Sequence, residues 1–252
     1  GVENTANAFA IGADRGYWGL ECDVRVTADD RLVIMHDSHL GRFGHADIAI
    51  EQQTLDTLLS LELTQTRWDS VYTGRLCTLE EYLDLCAERN VVPVIELKET
   101  RRLNSDDWSM LPNLLETVRS HGLLERSVFI SFMYEPLRWM RTGNRSGENY
   151  DYRADYASLN IQFLCSMPRE PQYFDSLVRY RLDLDIMYGL DNETQQPYFD
   201  STLVQRYHDA GLIVNTWTID NPDRLAELEA MHVDFVTTNK LTKANLTGQQ
   251  QN

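Results

Sequence analysis

Glu21 and Asp23 stand two residues apart in Gly19-Leu-Glu-Cys-Asp-Val24, and Glu96 and Lys98 stand two apart in Ile95-Glu-Leu-Lys98. In an extended strand alternate side chains leave opposite faces, so each polar pair shares one face while Leu20, Cys22 and Val24, or Ile95 and Leu97, take the other. If the two strands are neighbours in one sheet, three carboxylates and an ammonium meet. Carboxylates held that close repel one another unless positive charge sits between them, and an all-oxygen donor set suits a hard cation such as Mg²⁺ or Ca²⁺. A cation held there can receive a phosphate.

The elements that must position these groups follow from patterning. Thr5 or Asn4 can cap a helix over Ala6 to Arg15. A strand over Trp18 to Val26 is joined by Thr27 to Arg31 to the apolar run Leu32 to Met35, a hairpin-length link that predicts an accessory antiparallel strand. Thr78-Leu-Glu-Glu81 is a capping box opening a helix with Leu79, Tyr82, Leu83 and Cys86 on one stripe. Beyond it, strands beginning near Val92, Val128, Leu159, Leu184, Ile213 and Val233 alternate with helices. With the first strand that makes seven parallel candidates, one short of a (β/α)₈ TIM barrel. An eighth strand ahead of Gly1 would complete it, and the absence of an initiator methionine reads as a trimmed start. An open doubly wound sheet is the alternative, but no G-x-G-x-x-G follows any strand. Glu62 to Arg75 shows no periodicity and reads as an irregular loop over the catalytic face, whose trimming would alter substrate preference more than stability. Gly143 to Tyr156 reads as a surface loop.

Composition sets the outer limits. A chain of 252 residues, 42% hydrophobic and 25% charged, is of single-barrel size, so residues 1–252 are read as one domain. No apolar run approaches the ~20 residues of a membrane span. A formal charge of -16 opposes nucleic acid and anionic lipid surfaces at long range, leaving room for a small anion captured by a local cation. Cys22, Cys77, Cys86 and Cys165 lack metal-site or redox spacing and read as buried thiols. Oligomeric state and compartment are not encoded legibly; a soluble, cytoplasmic location is favoured over a secreted one.

Taken together, the residues resemble the glycerophosphodiester phosphodiesterase family. The resemblance runs through Glu3-Asn-Thr5 with Ala8-Phe9, Glu21-x-Asp-Val24, Thr27-x-Asp29, Val33-x-x-His-Asp37, Leu40-x-Arg42, Thr78-Leu-Glu-Glu81, Glu96-Leu-Lys98, Ser131-Phe132, Trp217-Thr218 and Thr237-Thr238. It implies a barrel with a small subdomain inserted after the Glu-x-Asp strand, here about residues 27–76. It implies a divalent cation on Glu21, Asp23 and Glu96, Lys98 near the phosphate, and hydrolysis of a small-molecule glycerophosphodiester to sn-glycerol 3-phosphate and an alcohol. A departing alkoxide needs a proton, which His36 can supply, since an ordinary imidazole titrates at about 6.5. Phe132, Tyr188 and Trp217 end strands and are candidates to line the pocket for the alcohol, with Trp217 the best match through the family's Trp-Thr pair.

The chain departs from the family in two places. The His-Arg-Gly segment that carries the family's first catalytic histidine is absent, which fits a chain beginning just after it. Thr238 is followed by Asn239 where the family has Asp. Rival readings are a phospholipase D-type enzyme on lysophospholipid or sphingolipid head groups, an inactive phosphate-binding barrel lacking the first histidine, and a metal-independent glycosidase using paired carboxylates.

Overall fold

The computed structural model describes residues 1–67, 69–105, 108–143, 156–166, 170–242 and 244–245. The chain divides into two compact units, Gly1–Phe129 and Ile130–Asn252.

In the first unit α1 (Ala6–Asp14) starts on Thr5, whose hydroxyl accepts from the Ala8 amide. Asn4 is thereby released for another task. β1 (Gly19–Val26) turns back into the antiparallel β2 (Leu32–Ile34), with Val24 opposite Ile34, as the short polar link requires. After α2 (Leu55–Leu59) comes a two-stranded hairpin, β3 (Leu63–Arg67) and β4 (Ser70–Gly74), then β5 (Cys77–Thr78) antiparallel to β2. The Thr78 capping box forms in both directions and opens α3 (Leu79–Arg89), whose stripe of Leu79, Tyr82, Leu83 and Cys86 is buried. The Tyr82 hydroxyl donates to the Leu20 carbonyl at 2.5 Å and accepts from the Val94 amide at 3.1 Å. It thus rivets the helix to β1 and to β6 (Val92–Leu97), which lies parallel to β1. α4 (Arg101–Asn104) and α5 (Met110–Ser120) complete the unit, and β7 (Val128–Ser131) carries the chain onward.

The segment Glu62 to Arg75 departs from expectation. It is a regular hairpin, Leu63 pairing with Gly74 and Arg67 with Ser70. Its alternation was hidden because one face carries threonines and the other is mostly polar: Leu63 is buried, but Gln65 fills the next inward position at 5% exposure. Leu63 packs with Val33, Met35, Phe43, Ile50 and Leu58 in a local core that Tyr72 covers, so trimming the segment would cost stability directly. Trp68 lies outside the described residues.

In the second unit α6 (Tyr134–Thr142), β8 (Asn160–Cys165), α7 (Phe174–Tyr180), β9 (Asp183–Met187), α8 (Ser201–Asp209), β10 (Val214–Trp217), α9 (Leu225–Ala230) and β11 (Phe235–Val236) alternate as expected. β8 to β11 are parallel, with Leu164 beside Asp185, Asp185 beside Asn215, and Asn215 beside Phe235. The last strand is shorter than the apolar run Val233 to Thr237 suggests. Of the expected surface loop Gly143 and Tyr156 are described, and 144–155 lie outside the described residues; Tyr156 is buried rather than at the surface, its carbonyl accepting from Arg141. All four cysteines are buried thiols outside any disulfide. No helix among the described residues is long and apolar enough to cross a membrane.

Arg141 on α6 is 4% exposed, and its guanidinium donates to the carbonyls of Tyr156, Ala157, Leu159, Tyr180 and Arg181 at 2.7 to 3.1 Å. It closes the helix ends of two connections at once. Removing it strands several buried acceptors, each costing about 1–3 kcal/mol. Arg141→Met is therefore expected to lower unfolding free energy by about 3 kcal/mol or more in urea titrations; a loss under about 1 kcal/mol would show the carbonyls have other partners.

Candidate active site

The parallel register of β1 and β6 sets Asp23 directly beside Glu96 and places Glu21 two residues back on the same face of β1. Glu21, Asp23 and Glu96 each offer a carboxylate oxygen, all within 4.8 Å of one another. Asp23 and Glu96 are buried, at 3% and 9% exposure, and Glu21 is the most accessible of the three. The Lys98 ammonium sits 2.8 Å from Glu96 Oε1 and 3.2 Å from Asp23 Oδ1. Burial works against that ammonium, but Asp23 and Glu96 outweigh it and raise the Lys98 pKa. Burial also pushes the Glu96 carboxyl above its usual range; Lys98 opposes the shift and Asp23 adds to it.

Asn4, freed from capping, clamps Asp23. Its amide donates to Asp23 Oδ2 at 2.7 Å and its carbonyl accepts from the Asp23 amide at 3.3 Å. Its backbone sits in the left-handed region, which asparagine tolerates better than most residues.

His36 leaves the sheet one residue after Met35, whose amide donates to the Asp23 carbonyl at 2.8 Å. Arg25 fixes the backbone there. This buried guanidinium donates to the carbonyls of Met35 (3.1 Å), His36 (2.6 and 3.1 Å) and Glu99 (3.0 Å). The imidazole is half exposed, and its Nδ1 lies 2.8 Å from Asp37 Oδ1. Arg42 forks onto both oxygens of Asp37 and reaches Glu3 with the same Nη2. Glu3 is held in turn by Gln65 and Arg67 of the hairpin.

Phe132 and Trp217 belong to the second unit. Their rings meet edge to face with centroids 5.6 Å apart, and the Trp217 indole donates to the Asp185 carbonyl at 3.3 Å. Phe132 is 38% exposed, unusual for a phenylalanine at a strand end. Near the other departure noted above, Asp220 Oδ1 accepts from the Thr238 hydroxyl and the Asn239 amide.

The donor set suits a divalent cation. It is all oxygen, and three carboxylates against one ammonium leave an excess of negative charge that a doubly charged ion cancels. Lys98 shares the oxygens of Asp23 and Glu96, so cation and ammonium would divide the same carboxylates between them.

A sequence model described as the glycerophosphoryl diester phosphodiesterase family matches residues 1–243. The chain belongs to this family. A protein named glycerophosphodiester phosphodiesterase from Caldanaerobacter subterraneus subsp. tengcongensis is 26% identical over 136 residues, covering 54% of this chain and 55% of that protein. One of the same name from Bacillus altitudinis is 30% identical over 99 residues, covering 39% of this chain and 40% of that protein. The matches thus span about half the length of these curated relatives or less. Among solved structures, an Oleispira antarctica phosphodiesterase in complex with the product sn-glycerol-3-phosphate is similar with a TM-score of 0.74 at 20% identity, covering 99% of this chain and 92% of that one. A glycerophosphodiester phosphodiesterase from Thermotoga maritima gives 0.68 at 20% identity, covering 100% and 93%. At such identities the likeness shows the fold, the α/β barrel of the family.

Within the family pattern, Glu3, Asp37 and Arg42 are visible only as matching letters with no role attached, Asn4 only as a candidate helix cap, and Arg25 carries no signal at all. A buried arginine that bonds carbonyls distant in sequence has no local pattern to announce it.

The Arg42 fork, with a further hydrogen bond from His36, holds the Asp37 carboxyl down at about 2. Since an unfolded aspartate titrates near 3.9, Asp37 stabilises the fold in full above about pH 4, and that contribution disappears as pH falls toward about 2. Asp37→Asn is expected to cost about 1 kcal/mol at neutral pH after solvent screening, with variant and parent converging in acid. Urea unfolding across a pH series checks this; a gap independent of pH would contradict it.

Proposed function

We propose that this chain hydrolyses glycerophosphodiesters to sn-glycerol 3-phosphate and an alcohol, using a divalent cation, Mg²⁺ or Ca²⁺, held by Glu21, Asp23 and Glu96. The observation that carries this reading is the convergence of those three carboxylates with Lys98, in a chain of this family. The product complex of the Oleispira antarctica relative supports the choice of substrate class. We read residues 1–252 as one barrel domain with about 27–76 inserted, which the reach of the family match supports.

A phosphodiester is an anion that repels nucleophiles, and charge builds on its oxygens as the displacement proceeds. When bound, the cation supplies Lewis-acid stabilisation of that charge. Lys98, kept as an ammonium by its carboxylate neighbours, binds a non-bridging phosphate oxygen. Water adds to phosphorus, the bond between phosphorus and the alcohol oxygen breaks, and the alkoxide takes a proton from His36; the proton shed by the water passes to solvent, from which His36 is reprotonated. Asp37 keeps the imidazole turned for that transfer. Phe132 and Trp217 contribute aromatic surface for the alcohol portion.

The test is release of sn-glycerol 3-phosphate from glycerophosphocholine, with and without chelator. Release is expected to stop with chelator and return with added Mg²⁺ or Ca²⁺. Glu96→Gln is expected to cost about 100-fold or more in kcat, and His36→Ala about 10²- to 10⁴-fold. Turnover indifferent to chelator, or unaffected by both substitutions, would contradict the reading.

A further inference from the structure

We propose that Arg42, held by Glu3 and through it by Gln65 and Arg67 of the β3–β4 hairpin, is a positioning residue that locks His36 in a single tautomer. This deepens the reading of His36 as the proton donor and rests on it.

The problem being solved is a mobile one. The His36 side chain is 53% exposed, and an exposed neutral imidazole exchanges its proton between two nitrogens and turns about its bonds. Only one arrangement presents the same nitrogen to a substrate every time. Asp37 Oδ1 lies 2.8 Å from Nδ1, but a carboxylate on the next residue of a surface turn is no firm anchor by itself. Arg42 makes it one. Its Nε donates to Asp37 Oδ2 at 2.5 Å and its Nη2 to Oδ1 at 3.0 Å, so Asp37 faces the guanidinium with both oxygens and remains an acceptor. An acceptor at Oδ1 obliges His36 Nδ1 to donate. In the neutral ring Nε2 then carries the lone pair, and in the charged ring Nε2 carries the proton that can be passed on.

Arg42 is itself 48% exposed and needs holding. Glu3 Oε1 accepts from Nη2 at 2.6 Å, and burial has fallen on Glu3, whose side chain is 18% exposed. That desolvation disfavours the Glu3 carboxylate, yet Arg42 and Gln65, with Arg67, outweigh it and lower its pKa. Gln65 binds Glu3 twice, donating to Oε2 at 2.9 Å and accepting from the Glu3 amide at 3.0 Å, and Arg67 also contacts Oε2. Gln65 is 5% exposed and anchored in a regular strand. The contacts run without a gap from a buried hairpin residue to the exposed imidazole. The Arg42–Asp37 pair, 48% and 29% exposed, adds only about 1 kcal/mol to stability, and what the chain of contacts supplies beyond that is orientation.

The test is ¹⁵N spectroscopy of the full chain at about pH 8.5, where an ordinary imidazole is neutral. The His36 signal is identified by its loss in His36→Asn, and kcat and KM for glycerophosphocholine are measured alongside. The parent is expected to show His36 as one tautomer protonated on Nδ1. Arg42→Gln is expected to give averaged nitrogen shifts and a kcat about 10- to 100-fold lower, with KM within about twofold; Arg42→Lys is expected to restore part of both. An unchanged His36 spectrum in folded Arg42→Gln overturns the proposal. If Arg42→Gln does not fold, Glu3→Gln decides by the same spectra, an unchanged tautomer again overturning it. Averaged shifts with undiminished kcat would confirm the lock and sink His36 as the proton donor, so the two failures are separable.

Discussion

Two buried carboxylates set side by side in a parallel register are the constraint on which the first unit depends. Asp23 and Glu96 face the same way because β1 and β6 pair in step, and Glu21 joins them from two residues back on the same face. Burial and mutual repulsion both oppose that arrangement. Lys98 answers part of it, and the upward shift of Glu96 is the residue of what Lys98 leaves uncancelled. The surroundings are built to keep the carboxylates there all the same: Tyr82 ties both strands to α3, and Asn4 holds Asp23 by backbone and side chain together.

A second device recurs in both units. Arg25 and Arg141 are buried cations that bond backbone carbonyls, each collecting the open ends of separate segments. Arg25 is the one that lies beside the candidate site. It joins the carbonyl of His36 to that of Glu99, the residue after Lys98, so one guanidinium sets how far the imidazole's backbone stands from the end of the strand bearing the ammonium. Arg25 holds the backbone of His36, and Asp37 holds its ring.

Much of this was legible beforehand. Alternation gave the two acidic strands and their facing, the capping box gave α3 with its buried stripe, and strand–helix alternation gave the parallel order of β8 to β11. These are periodic signals, and periodicity survives in a single sequence. The β3–β4 hairpin was missed because its inward face spends a position on Gln65, whose value lies in Glu3 some sixty residues away. Arg25 and Asn4 were missed for the same reason: their partners are set by tertiary structure, and an isolated polar letter does not reveal them. The sequence offers Asn4 only as a cap, a role that Thr5 takes.

The central claim is that the three carboxylates form one cation site. Titrating the full chain with Mn²⁺, whose paramagnetic signal distinguishes free from bound ion, tests it without reference to turnover. One ion bound per chain, displaced by Mg²⁺ or Ca²⁺ and lost in the double variant Asp23→Asn with Glu96→Gln, is the expected result. No bound ion, or binding undiminished in that variant, would contradict it.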